Sequence, residues 1–260
     1  MNQDIELNGN KNKSILVFTM HRSGSMFLYH FCAQLSNLAA MTYYSPNLQN
    51  NYIPDEPEAS FWKEKSGCFG PLRWYMEVPH MDQYNIILNL RDPRDVLVSM
   101  FYSYCYSHAG AVEANTGIRK EVADRGIDDF VLTISSGRPA ISGYGTGPTD
   151  LAGNVLKRYE DYVSNLIGKP NVTFVKYEEM VTDFQSWLAK MTGPFNLPPN
   201  PKTNEKEIND LFCVSQEDKF KHKRKIVPGD YKDKLKPQTI TQLNDRFKTI
   251  LEKLEYQISE

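Results

Sequence analysis

Cysteine is scarce in this chain of 260 residues, and its placement excludes two common kinds of site. The four cysteines are Cys32, Cys68, Cys105 and Cys213, and no two of them form a CxxC pair. Scattered cysteines indicate neither a zinc site nor a disulfide framework. We therefore predict reduced thiols and no metal centre.

Long apolar runs and an excess of one charge are also missing. No apolar run approaches the ~18 residues that a membrane span needs, and residues 1–13 lack the apolar core of a signal peptide. The net charge of -2 gives no basic field for a nucleic acid. We expect a cytoplasmic protein with no membrane span and no nucleic-acid partner, and the sequence does not indicate its oligomeric state.

Short apolar runs alternate with helical segments along most of the chain. The runs predicted as strands are 14–19, 72–78, 85–90 and 172–177, and the predicted helices are 26–40, 93–106, 126–136, 151–167, 183–191 and 237–254. This alternation predicts an α/β fold with a central, mostly parallel sheet flanked by helices. We predict a flexible N-terminal tail over 1–13 and a single domain over 14–260. Proline and glycine in 42–71 favour loop there.

The turn after the first predicted strand has the composition of an anion site. At a strand-to-helix turn, backbone N–H groups and the positive end of the helix dipole face one point. Arg22 adds a cation, and Thr19, Ser23 and Ser25 add hydroxyl groups, while Gly24 allows close approach. A Walker A loop is excluded because the GxxxxGK pattern is absent. A plain tight turn with a solvated arginine is the alternative.

A second candidate anion site follows the strand predicted over 85–90. Arg91 comes at the end of that strand, where open α/β sheets place ligand residues. Ser99 is seven residues after Asp92, so two helical turns bring both to nearly the same face. An arginine fork and a hydroxyl group could hold a phosphate. The alternative is a capping motif in which Arg91 pairs with a nearby carboxylate.

Two anion sites at one sheet edge suggest a ligand with two phosphate-like groups, and here the sequence resembles the cytosolic-type sulfotransferases. Residues 19–28 (TMHRSGSMFL) resemble the family's PKSGTTWL loop for the 5′-phosphosulfate, and residues 91–104 (RDPRDVLVSMFYSY) resemble its 3′-phosphate motif. Residues 224–232 (RKIVPGDYK) resemble its late RKGxxGDWK segment, and residues 177–180 (YEEM) its YEDM. The order and spacing agree along most of residues 14–256.

The resemblance implies a P-loop-like sulfotransferase architecture. The resemblance also implies an enzyme whose sulfuryl donor is 3′-phosphoadenosine 5′-phosphosulfate (PAPS) and whose nucleotide product is the bisphosphate PAP. The implied acceptor is the hydroxyl of a small alcohol or phenol, and no metal is implied. The implied nucleotide-binding residues are Arg22, Ser23, Gly24, Ser25, Met26, Phe27, Arg91, Ser99, Tyr177, Ser215, Arg224 and Lys225. Met26 stands for a threonine, so one hydroxyl is missing. Phe27 stands for a tryptophan that stacks on adenine, and Ile226 replaces a glycine.

The catalytic residues implied by the resemblance are Arg22, at the leaving oxygen, and a base. The family reads Lys-Thr-His-x-Pro on the strand before the 3′-phosphate strand, and residues 75–79 (YMEVP) align best with it. Glu77 then replaces the histidine, and His80 is the second candidate. A carboxyl with a pKa of ~4.3 is a poor base for an alcohol unless burial raises it. We therefore predict a buried Glu77; a strand-end glutamate and a loop histidine are the alternative.

Aromatic residues are frequent in the segments predicted to surround the acceptor. These aromatic residues are Tyr43, Tyr44, Trp62, Trp74, Tyr102, Tyr104, Tyr106 and Tyr144. The loop over 142–148 could cover the acceptor. They favour an apolar or ring-bearing alcohol unless they belong to the core, which is the commoner case for aromatic side chains.

Two other functions stay open from the sequence. A Mg-dependent P-loop kinase would use Asp92 as a Walker B carboxylate, but the Lys-Ser/Thr pair of such enzymes is missing. A non-catalytic relative that binds a nucleotide or polysaccharide would explain Met26 and Glu77, which depart from the family's pattern.

Overall fold

The structure, a computed structural model, describes residues 13–107, 116–138, 154–202 and 225–258. Several predictions fall outside these ranges. They concern the N-terminal tail (apart from its last residue), the loop over 142–148 with Tyr144, Cys213, Ser215 and Arg224.

A five-stranded parallel sheet forms the centre of the molecule. The strands are β1 (Ile15–Thr19), β2 (Tyr43–Tyr44), β3 (Cys68–Leu72), β4 (Asn85–Leu90) and β5 (Val172–Lys176). Their order across the sheet is β2-β3-β1-β4-β5, and every neighbouring pair is parallel. This architecture confirms the predicted fold class.

Ten α-helices are described. They are α1 (Ser25–Leu38), α2 (Ala59–Glu64), α3 (Pro93–Tyr102), α4 (Thr116–Arg125), α5 (Ile127–Ser135), α6 (Val155–Asn165), α7 (Tyr177–Thr182), α8 (Phe184–Thr192), α9 (Asp230–Lys234) and α10 (Pro237–Lys253). Short 3-10 turns lie at Met81–Gln83 and Gly193–Phe195, and a π-helical turn at Ser103–Ser107 follows α3. The helix predicted over 93–106 therefore begins at Pro93 as expected, but its α-helical part ends at Tyr102.

Helices cover both faces of the sheet, because alternate residues of a strand point to opposite faces. Leu16 and Phe18 of β1 enter a core that they share with α3, α5, α6 and α10. Ile15 and Val17 enter a second core, shared with α1 and α8. Burial on both faces explains why β1 is a continuous apolar run. Among the described cysteines, Cys32, Cys68 and Cys105 are buried free thiols.

The strand predicted over 72–78 is wrong. The structure places β3 at Cys68–Leu72, at the end of the segment predicted as mostly loop. Residues 73–78 have no strand structure. The prediction failed because Gly70 and Pro71 disfavour a strand interior.

Local geometry explains how β3 accommodates Gly70 and Pro71. The short β2 pairs only with Cys68 and Phe69, and the β1–β3 register shifts beyond Phe69. The ladder is thus interrupted where proline has no N–H to donate. A Cβ on Gly70 would lie 2.4 Å from the carbonyl oxygen of Val17, so the close approach to β1 requires glycine.

Candidate functional site

Three neighbouring strands end at the same edge of the sheet. Because β3, β1 and β4 are adjacent and parallel, the residues that follow them lie side by side. The turn over 20–24 follows β1 and leads into α1, Arg73 follows β3, and Arg91 follows β4. Parallel sheets bind ligands at this edge.

The turn between β1 and α1 has the shape of an anion cradle. Gly24 has a φ of 78°, and a Cβ there would lie 3.3 Å from Met180 Cε and 3.4 Å from a ring carbon of Tyr177. Asn89 of β4 fixes the turn by donating from Nδ2 to the carbonyl of Ser23 over 2.9 Å. The Ser23 side chain is fully buried, and its Oγ has no hydrogen-bond partner among the described residues.

The two predicted anion sites are in direct contact. Arg22 donates from Nε to Oγ of Ser99 over 3.1 Å. Arg91 donates from Nη1 to the carbonyl oxygen of Arg22 over 3.2 Å. This carbonyl belongs to a backbone with a φ of 67°, which residues other than glycine rarely adopt. The turn and the first two turns of α3 therefore form one polar cluster.

Arg91 is buried, and the described residues supply partners for only some of its N–H groups. Its Nη2 lies 3.4 Å from Asp95 Oδ2, and its guanidinium carbon lies 4.5 Å from the centre of the Tyr177 ring. Burial alone would lower the pKa of Arg91, but Tyr177 and two nearby carboxylates raise it overall. Its Nε, a buried donor, has no hydrogen-bond partner within the described ranges. The carboxylate pairing considered in the sequence analysis exists, yet one edge of the guanidinium stays unpaired.

The other charged residues of this motif have structural partners. Asp92 caps α3 by accepting from the backbone N of Arg94 over 2.9 Å, and its carboxylate also receives the Arg94 side chain over 2.9 and 2.6 Å. Asp95 accepts from the backbone N of Gly229 over 2.8 Å and from that of Tyr231 over 3.0 Å. Both carboxylates are therefore engaged in holding the helix and the segment after residue 225.

Two tyrosines of α6 hold the edge of the sheet from outside the predicted motifs. Tyr159 donates its hydroxyl hydrogen to the carbonyl of Arg91 over 2.5 Å, and Tyr162 donates to that of Thr19 over 2.7 Å. The sequence analysis missed both residues, although a spacing of three places them on one helix face.

Two residues of the segment YEEM (177–180), Tyr177 and Glu178, contact different parts of this edge of the sheet. Tyr177 packs between Arg91 and Gly24 and is buried. Glu178 accepts from the backbone N of Asp92 over 2.9 Å and from the hydroxyl of Tyr256 over 2.8 Å. Burial raises the pKa of Glu178 although the Asp92 N–H opposes the shift.

The remaining loop residues lie at the beginning of α1. Ser25 is buried, and Met26 is 46% exposed. The ring of Phe27 stacks on Phe31 at 5.2 Å and lies 6.0 Å from that of Trp187. Phe27 is thus anchored by neighbouring rings at the start of the helix.

Glu77 and His80 lie beyond the end of β3, and both are exposed. The buried environment predicted for Glu77 is therefore not found. Glu77 lines a cleft of about 310 Å³ whose other walls are Asp55, Glu56, Pro57, Trp62, Trp74 and Met76. Trp62 and Trp74 were predicted near the acceptor, whereas Tyr44 is partly buried and stacks on the core residue Phe69 at 4.8 Å.

Lys225 begins the last described segment and pairs with acidic residues. Its Nζ lies 2.9 Å from Asp230 Oδ1 and 3.4 Å from Asp233 Oδ2. The hydrogen bond to Asp230 raises the pKa of Lys225. Since Asp95 binds the backbone on both sides of Asp230, this lysine is tied indirectly to the first turn of α3.

Clusters of metal-ligating side chains and membrane-spanning helices are both missing from the described residues. No group of three or more histidine, cysteine, aspartate or glutamate side chains in this part of the chain could hold a metal ion. Likewise, none of its helices combines the length and apolar character of a membrane span.

Comparisons with known proteins agree with the fold. The family model described as "Sulfotransferase domain" matches residues 72–255. Mouse sulfotransferase SULT7A1 complexed with PAP is 18% identical with a TM-score of 0.55, over 93% of this chain and 84% of that one. Retinol dehydratase in complex with androsterone and inactive cofactor PAP is 17% identical with a TM-score of 0.53, over 95% and 82%. No curated protein sequence matches this chain.

Proposed function

The chain belongs to the family of proteins with a sulfotransferase domain, and from that premise we propose that it transfers a sulfuryl group from PAPS to the hydroxyl of a small molecule. The observation that carries this proposal is the joined cluster of Arg22, Ser99 and Arg91 at the carboxyl edge of the sheet. The single-domain organisation and the cytoplasmic location stay predictions.

The donor-binding residues proposed from the sequence fit a nucleotide with two anionic ends. Arg22 and the N–H groups before α1 would hold the 5′-phosphosulfate, and Arg91 and Ser99 would hold the 3′-phosphate. Two buried atoms with no partner among the described residues, Ser23 Oγ and Arg91 Nε, support this assignment. Buried polar atoms are nearly always hydrogen-bonded, so a ligand with several oxygens is their natural partner.

Arg224 and Lys225 are further proposed ligands of the 3′-phosphate. The support is indirect: Asp95, which contacts Arg91, also binds the backbone of Gly229 and Tyr231. Gly229 and Tyr231, which follow Lys225 by a few residues, are thereby held against the first turn of α3.

The reaction requires four changes that balance. The acceptor oxygen forms a bond to sulfur, the bond between sulfur and the 5′-phosphate oxygen breaks, PAP keeps that electron pair, and the acceptor proton goes to a base. Holding the reactants in line can lower the barrier by ~7–11 kcal/mol. Each preorganised hydrogen-bond donor at the leaving oxygen typically raises the rate by ~10²–10³, and a general base raises it by ~10²–10⁴. We propose Arg22 as the hydrogen-bond donor at the leaving oxygen.

We place the acceptor in the cleft lined by Trp62, Trp74 and Glu77, which begins one residue after Arg73. Its aromatic walls suit an apolar or ring-bearing alcohol. Glu77 is the proposed base and His80 the second candidate. Glu77 is exposed at the wall of this cleft, so an acceptor bound in the cleft would cover it.

The kinase alternative is less well supported. Its candidate Walker B carboxylate, Asp92, has both oxygens bound to Arg94 and also caps α3. A carboxylate with these contacts has a structural role in α3, and breaking its buried ion pair with Arg94 would destabilise the fold.

Sulfur-labelled PAPS incubated with a panel of alcohols tests the proposal. The panel includes a sterol and a retinoid alcohol, since androsterone is named with one structural neighbour, and several phenols. We expect label on at least one acceptor, with the same yield in EDTA. Transfer of phosphate from Mg-ATP instead would contradict the proposal. Binding of PAP without transfer to any acceptor would favour the non-catalytic alternative.

A further inference from the structure

Asn89 is a buried polar residue inside an otherwise apolar part of β4. The other residues of this strand from Ile86 to Leu90 are isoleucine and leucine, and Asn89 is fully buried among them. Asparagine is depleted in strands, and a buried amide is costly unless its groups are hydrogen-bonded. Asn89 pairs in register with Thr19, the last residue of β1. It therefore lies at the point where the turn between β1 and α1 begins.

Three hydrogen bonds fix the orientation of the Asn89 amide. Nδ2 donates to the carbonyl of Ser23 over 2.9 Å and to Oγ1 of Thr19 over 3.3 Å. Oδ1 accepts from Nε1 of Trp187 over 3.5 Å. A carbonyl can only accept and an indole N–H can only donate, so a flipped amide would lose both of these contacts. The amide therefore has one orientation, in which Nδ2 faces the turn.

The contact with Asn89 sets the direction of the next N–H group of the turn. The peptide between Ser23 and Gly24 is trans, and in a trans peptide the C=O and the N–H point in opposite directions. Because the Ser23 carbonyl points at Asn89, the N–H of Gly24 points away from Asn89. Since Asn89 is fully buried, this direction is outwards, towards the place proposed for the 5′-phosphosulfate.

Arg91 makes the equivalent contact at the preceding peptide. Its Nη1 holds the carbonyl of Arg22, while Asn89 holds the carbonyl of Ser23. Two consecutive carbonyls of the turn are thus held by residues at the end of β4. Arg91 is also a proposed ligand of the nucleotide, whereas Asn89 is buried behind the turn and acts only through the backbone of Ser23.

We infer that Asn89 is a positioning residue of the 5′-phosphosulfate site, which aims the N–H of Gly24 at the 5′-phosphate; this inference rests on the proposed function. An N–H that is already aimed needs no rearrangement when the anion binds, so it contributes more to affinity. Without Asn89, the peptide before Gly24 would lose its anchor, and glycine tolerates many backbone angles. The 5′ end of the nucleotide would then be held less well, and the 3′ end would still be held by Arg91 and Ser99.

Three nucleotides separate the two ends of the site: PAP, adenosine 5′-phosphate and adenosine 3′-phosphate. Asn89→Leu keeps the approximate size of the side chain and removes its hydrogen bonds. Calorimetry on the full chain should show that the affinities for PAP and adenosine 5′-phosphate both fall about tenfold, because a hydrogen bond to a charged group is weakened. The affinity for adenosine 3′-phosphate should stay at its wild-type value, which a merely structural role of Asn89 would not produce. Asn89→Ser keeps a hydroxyl donor and should lose less affinity for the 5′-phosphate.

Asn85→Leu is the matched control. Asn85 belongs to the same strand and also donates from Nδ2 to a backbone carbonyl, that of Pro194, over 3.0 Å. This variant should bind all three nucleotides as the wild type does. Thermal unfolding identifies a variant that fails to fold, and if Asn89→Leu does so, Asn89→Ser carries the comparison.

Two results would overturn this inference alone: equal losses of affinity for all three nucleotides, or an unchanged affinity for adenosine 5′-phosphate. If the wild-type chain binds none of the three nucleotides, the proposed function fails as well.

Discussion

The Nε of Arg22 and the Oγ of Ser99 are 3.1 Å apart and share a hydrogen bond across 77 residues of sequence. One residue belongs to the turn before α1 and the other to the second turn of α3. We propose that each residue binds a different end of the nucleotide, so donor binding would exchange this bond for bonds to phosphate oxygens. The two ends of the proposed donor site would then be coupled through this pair.

The first prediction concerns recognition of the 3′-phosphate. Ser99→Ala removes one hydroxyl donor, so we expect affinity for PAP to fall about tenfold, with little change for adenosine 5′-phosphate. Arg91→Ala should weaken PAP binding more, because it removes a charged fork. Calorimetry with both nucleotides measures the preference. Ser136→Ala, at an exposed serine, is the control, and equal losses for both nucleotides would remove Ser99 from the 3′-phosphate site.

The second prediction separates catalysis from binding at Arg22. Arg22→Ala removes the proposed donor to the leaving oxygen, so transfer at saturating PAPS should slow by ~10²–10³. Single-turnover transfer of labelled sulfate measures this rate, with Arg138→Ala as control. A near-wild-type rate would show that Arg22 does not act on the leaving oxygen.

The third prediction tests the base. Glu77→Gln keeps the size of the side chain and removes its proton acceptor, so turnover should fall by ~10²–10⁴ while PAP affinity is unchanged. Glu64→Gln makes the same change at an exposed position of α2 outside the cleft lining. Should Glu77→Gln transfer sulfate as fast as Glu64→Gln, the same comparison is made with His80→Gln.

The fourth prediction concerns stability and pH. Burial raises the pKa of Glu178 in the folded chain, so the folded chain holds this proton at a pH where the unfolded chain has released it. The free energy of unfolding of the wild type, relative to Glu178→Gln, should therefore decrease as the pH rises through the raised pKa.

Urea unfolding over a pH series measures this difference, with Glu160→Gln at an exposed site of α6 as control. An advantage of the wild type that grows with pH would mean that the pKa of Glu178 is lowered by folding.

The sequence predicted the parts of the fold that local pattern controls. The apolar runs before residues 20, 91 and 177 predicted three of the five strands. Burial on both faces explains the continuous apolar sequence of β1 and β4, whereas β5 is only partly buried. Asp92 and Pro93 marked the beginning of α3, because a cap and a proline are local signals.

The features that the sequence did not predict depend on contacts between distant segments. β3 contains Gly70 and Pro71, which only the interrupted pairing with β1 and β2 accommodates. The strand predicted over 72–78 begins four residues after β3 does, so Glu77 lies beyond the end of the strand and not on it. Similarly, nothing local in the sequence indicates that Asn89 holds the backbone of Ser23, 66 residues away.

Binding of PAP in the presence of EDTA tests the central claim most directly. Titration calorimetry on the full chain should show one PAP bound per chain, with Mg-ATP bound far more weakly. No heat from PAP together with tight binding of Mg-ATP would contradict the account.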